Sequence, residues 1–69
     1  MTTAKVIEII GSSTKSWEDA VQQALNEAHK TLKGIHGVDV IRHTTKVDNN
    51  GRIQEYRVDC KVAFEVLHK

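Results

Sequence analysis

Tyr56-Arg-Val-Asp-Cys-Lys-Val-Ala-Phe-Glu-Val66 decides the fold. Tyr56, Val58, Cys60, Val62, Phe64 and Val66 occupy every second position. Arg57, Asp59, Lys61 and Glu65 alternate with them, and Ala63 is the one small break. Side chains of a strand point to opposite faces in turn, so this period of two gives a strand with one buried and one polar face. Upstream lies Asp48-Asn-Asn-Gly51, a hairpin signal because Asn and Gly tolerate positive φ. Before it runs Val38-Asp-Val-Ile-Arg-His-Thr-Thr-Lys-Val47, which alternates imperfectly. Val38 and Val40 fall on one face, and Asp39, Ile41, His43, Thr45 and Val47 on the other. The two segments read as a hairpin.

Outward from the hairpin, Trp17, Val21, Ala24, Leu25, Ala28 and Leu32 share one helical face, widened by Ala20. Ser13 or Ser16 can cap the start, with Glu18 and Asp19 in the first turns. His29, Lys30 and Lys33 suit the other end, and Gly34 is read as the stop. The spacing predicts a helix of about 18 residues, roughly 27 Å long. The first segment, Ala4-Lys-Val-Ile-Glu-Ile-Ile10, is β-branched and punctuated by Gly11-Ser-Ser-Thr14, so it reads as a short strand. Ile7 and Ile9 share one face; Val6, Glu8 and Ile10 share the other. Both faces are largely apolar, which predicts the helix on one side and a partner subunit on the other. The order is β-α-β-β in a single domain, 1–69, of the α+β class, with the helix packed on the hairpin and the first strand beside the return strand. The return strand reaches roughly 50 Å, farther than the helix can cover. A second copy is the simplest cover for the surplus.

Composition leads to the same expectation. The 69 residues are 39% hydrophobic and 4% aromatic, with one Phe, one Tyr and one Trp. A chain this short buries only about 60% of its unfolded surface. One Cys excludes an intrachain disulfide and a four-Cys zinc cluster, which leaves oligomerisation as the remedy for a thin core. A net charge of +1 lacks the basic excess of a nucleic-acid partner. No apolar run reaches the roughly 18 residues of a membrane span, and Met1-Thr-Thr-Ala-Lys5 lacks a signal-peptide layout. The chain is read as cytoplasmic.

Little points to chemistry. His29, His36, His43 and His68 form no metal-binding spacing and are read as surface or partly buried. Cys60, on the apolar face, reads as a small buried hydrophobe, and Trp17 as a packing residue. Asp48 opens a segment superficially like a calcium loop, but position 12 is Asp59 within a strand where a Glu is needed. Glu8, Asp39, Asp48 and Asp59 could gather around calcium only between subunits. No nucleophile motif, P-loop or dinucleotide fingerprint is present, so an enzyme is not expected.

Val6-Ile-Glu-Ile-Ile-Gly-Ser-Ser13, Ser16-Trp-Glu-Asp-Ala20, Ala28-His-Lys-Thr-Leu32 and Glu55-Tyr-Arg-Val-Asp-Cys-Lys-Val-Ala-Phe-Glu65 together resemble the dodecins. The resemblance runs from Lys5 to Val66. It implies a curved three-stranded antiparallel sheet wrapped on one helix, assembled into a hollow homo-dodecamer. It also implies storage of flavin, riboflavin or FMN, at subunit interfaces without turnover. In the family a Trp at the start of the second strand stacks on the flavin ring, and a Gln on the third strand hydrogen-bonds it. Here Gly37 stands at the Trp position, Val38 at its bulky neighbour and Arg57 at the Gln position, so both central contacts are replaced. Arg57 can favour an anionic ligand or simply pair with Asp59 or Glu55. The sequence also resembles a Trp-less subgroup, some members of which bind calcium. That provides the alternative: a calcium-binding or purely structural shell.

Overall fold

The computed structural model describes residues 2–67, and His68 lies outside them. Strand β1 spans Thr2–Ser13, helix α1 Trp17–His29, strand β2 Ile35–Val47 and strand β3 Ile53–Leu67. The sheet order is β1-β3-β2 and every pairing is antiparallel. The β-α-β-β order, the hairpin and the central return strand therefore stand as expected.

The alternation of β3 sets the core. Val58, Cys60 and Val62 are fully buried; Val58 and Cys60 cluster with Ala20 of α1, whose Ala24 and Ala28 are also buried. Ile9, Val21, Val38 and Val40 pack around them. The helix presents alanines because it lies close to the sheet. At Gly11 a Cβ would collide with the Ala20 carbonyl oxygen and come within 2.8 Å of the Ala24 Cβ.

Four expectations are corrected. First, β1 does not stop at Ile10 but runs on through Gly11 to Ser13, paired with β3. Gly11 is there for close helix approach, not as a turn. Second, α1 ends at His29, four residues before Lys33. The chain leaves in a turn in which the Thr31 and Leu32 N–H groups both donate to the Ala28 carbonyl. Gly34, at φ +73°, is instead the junction into β2, where its carbonyl accepts the Glu65 N–H at 3.0 Å. Third, α1 packs chiefly on β1 and β3, and least on β2. Fourth, a register shift between Val40 and Arg42 leaves Ile41 as an extra, exposed residue. Beyond this bulge the parity of β2 reverses. His43 and Thr45 lie opposite Val58 and Tyr56 on the helix side, and Arg42 and Thr44 join the outer face.

At the hairpin, Trp17 Nε1 donates to the Thr44 carbonyl at 3.1 Å. The indole packs edge-on against Tyr56, with centroids 5.0 Å apart, and against His43 at 5.7 Å. Its packing role is thus confirmed, at the helix–hairpin junction.

Candidate functional site

The outer face of the sheet carries almost every residue with chemical potential. Cross-strand register arranges it in rows: Val6–Ala63–Gly37, Glu8–Lys61–Asp39, Ile10–Asp59–Arg42 and Ser12–Arg57–Thr44. Acid and base alternate along and across the strands, a pattern that alternation of β3 imposes once its apolar residues face the helix.

Gly37 lies at one end of this face, and Val38 beside it in β2 turns to the opposite face. Gly37 is half-buried, and a Cβ built there would touch only the Ala63 Cβ, at 4.0 Å. The position therefore has room but presents no side chain. Val38 belongs to the core rim, opposite Val62. Arg57 lies three rows away, six residues along β3 from Ala63, which is about 20 Å at strand rise. Its guanidinium pairs with Glu55 at 3.5 Å and lines a shallow hollow of about 190 Å³ with Ile10, Arg42, Thr44 and Asp59. One chain does not bring Gly37 and Arg57 together. Glu55 is held below the usual carboxylate range, first by hydrogen bonding from Ser12 and then by the Arg57 charge.

Of the four carboxylates singled out in the sequence, two meet. Glu8 and Asp59 are diagonal neighbours across β1 and β3, within hydrogen-bonding reach of each other. Hydrogen bonding to Asp59 and repulsion from its charge raise Glu8 above the ordinary carboxylate range, while Lys61 and Arg42 pull it down. The Oδ1 of Asp59 is buried without a hydrogen-bond partner. This diagonal contact depends on register, so the sequence alone did not give it away. Asp39 lies across Lys61 from Glu8, and Asp48 is far away at the hairpin tip. Asp48 Oδ1 already accepts the Asn50 and Arg52 N–H groups at 2.9 and 3.0 Å, as a turn residue does. Calcium takes 6–8 oxygens. Among the described residues no three His, Cys, Asp or Glu side chains group together. A calcium ion on Glu8 and Asp59 would thus need water or a second copy to complete its shell.

Cys60 is fully buried, and burial, followed by the Asp59 charge, pushes its thiol up. It is a poor nucleophile there. Among the described residues no helix is long and apolar enough to cross a membrane.

Comparison with known proteins places this geometry among relatives. The dodecin family model matches residues 3–67. Calcium dodecin of Mycobacterium tuberculosis is 38% identical over 66 residues, covering 96% of this chain and 92% of that protein. Dodecin of Thermus thermophilus is 32% identical over 62 residues, covering 90% and 88%. A crystal structure of a Thermus thermophilus protein superposes with a TM-score of 0.92 at 29% identity, over the whole of both chains. The calcium dodecin structure, described as calcium chelating with a novel calcium-binding site, gives 0.82 at 37% identity, covering 94% and 91%.

Proposed function

The chain belongs to the dodecin family, and from that premise we propose that it is a non-enzymatic, cytoplasmic binding and storage protein that works as a homo-dodecamer with small-molecule sites between its copies. The observation that carries this reading is the separation of Gly37 from Arg57, three rows apart on the outer face, while Val38 turns to the helix side. A ligand touching both the Gly37 and the Arg57 positions must lie between copies.

Its ligand class is flavin, riboflavin or FMN, held weakly. Gly37 offers space without a stacking ring, and Arg57 is engaged by Glu55. Loss of one aromatic stack costs about 1–3 kcal/mol, by analogy with base stacking, or roughly one to two decades of affinity. Titration of riboflavin and FMN with purified protein, followed by flavin fluorescence, tests this. Saturable but weak quenching is expected, strengthened in Gly37→Trp because the position has room. Absence of quenching in both proteins overturns the flavin assignment.

A specific observation favours a second ligand. The Glu8–Asp59 contact, with one Asp59 oxygen buried and unpartnered, is an arrangement that a divalent cation would relieve. The 38% identical relative is a calcium dodecin. Calorimetry of calcium into chelator-stripped protein should give a saturable heat that Glu8→Gln abolishes. A flat trace removes this reading and leaves the flavin one standing.

A further inference from the structure

We propose that Asn50 is a self-modification site, where the exposed hairpin tip converts an asparagine to aspartate or isoaspartate under the control of the Asp48 turn. Neither ligand reading uses this turn. Asn50 is exposed and precedes Gly51, which is also exposed and sits at φ +78° with nothing within 4 Å of where a Cβ would stand. No side chain at Gly51 crowds the approach of its nitrogen, whose N–H is held by the Asp48 carbonyl alone. Neither other asparagine shares this. Asn49 is followed by Asn50, whose side chain flanks the attacking amide. Asn26 lies within α1, is followed by Glu27, and its Oδ1 accepts from Gln22 Nε2 at 2.9 Å.

The chemistry needs only water. The Gly51 amide nitrogen loses its proton to base and attacks the Asn50 side-chain carbonyl carbon. A C–N bond forms, the bond to the side-chain nitrogen breaks, and ammonia leaves after taking a proton from solvent. Water opens the resulting five-membered imide at either carbonyl, giving Asp or isoAsp. One water is consumed and one ammonia released, with no redox change. The product lowers the formal net charge from +1 to 0, beside the carboxylate of Asp48. The isoaspartyl product also adds one backbone carbon to the turn.

The turn itself restrains the reaction. The Gly51 N–H donates to the Asp48 carbonyl at 3.1 Å, and the Asn50 N–H donates to Asp48 Oδ1 at 2.9 Å. The Arg52 N–H also donates to that oxygen, and the Asp48 N–H donates back to the Arg52 carbonyl at 2.9 Å. Ring closure requires the Gly51 amide to leave its bond, so opening of this network paces the modification.

The test is prolonged incubation of the full chain in mildly alkaline buffer, followed by charge separation, peptide mapping and isoaspartate-specific methylation. The expected result is an isoform one charge more acidic, mapped to Asn50 and absent in Asn50→Gln. Asp48→Ala, which frees the Asn50 and Arg52 amides, should form it several-fold faster. The proposal is overturned if the folded chain gains no acidic isoform while denatured chain does, or if Asn50→Gln gains it equally. An unchanged rate in Asp48→Ala overturns the control assigned to the turn.

Discussion

Gly11 and Ser12 are neighbours in β1 with opposite duties. Gly11 faces the helix, where a methyl group would meet the Ala20 carbonyl and the Ala24 Cβ at 2.8 Å. Gly11→Ala should therefore destabilise the fold by about 1–3 kcal/mol, the usual cost of overpacking, read as a lower denaturation midpoint. Ser12 faces outward and, by hydrogen bonding, holds Glu55 ionised below the usual carboxylate range. A depressed carboxyl pKa contributes stability above its unfolded value, and that contribution is lost as pH falls through the folded value. Ser12→Ala should therefore be slightly less stable than the parent at neutral pH, with the gap closing as acid protonates Glu55. Denaturation midpoints across the acid range check this; a gap that widens in acid contradicts it. In the sequence these two residues look alike, as loop punctuation. Their different roles follow from burial, which sequence spacing does not report.

At the scale of elements, α1 starts as its sequence directs. Ser16 takes an extended backbone, and its hydroxyl accepts the Asp19 N–H at 3.0 Å. Ser16→Ala should cost about 1 kcal/mol, the typical worth of such a cap, seen as a modest loss of thermal stability without loss of helical signal. Ser13, the other candidate cap, serves elsewhere: its hydroxyl donates to Asp19 Oδ2 at 2.5 Å and accepts the Lys15 N–H. The alternation of β3, the Asp48 turn and the apolar stripe of α1 were all legible, because each rests on local periodicity or local φ preference. The helix end was not. Leu32 prolongs the apolar stripe, yet the chain must turn early so that Gly34 can reach Glu65. The β2 bulge was also hidden, since nothing in Val40-Ile-Arg42 marks an extra residue. Register governs the candidate sites in the same way. Gly37, Val38 and Arg57 were named from resemblance, but their separation on the sheet, and the meeting of Glu8 with Asp59, appear only once the strands are aligned.

As a whole molecule the chain is a thin plate of 55 × 20 × 13 Å. Among the described residues six apolar ones are buried and three of these are alanines, so the core of one copy is slight. Val6 and Ile10 remain 53% and 74% exposed on the outer face of β1, the side for which the sequence anticipated a second cover. Between β1 and α1 runs an apolar groove of about 550 Å³, lined by Ile7, Ile9, Ala24, Ala28 and Leu32 among others. A shell of many copies would cover these surfaces and would close ligand sites that one plate leaves apart. Assembly is thus the claim on which the flavin reading depends, and a second copy is one of the two ways to complete a calcium shell. Light scattering on the purified protein in solution tests it most directly. The account predicts a single species with the mass of a dodecamer, and a species at the 7.8 kDa of one chain would contradict it.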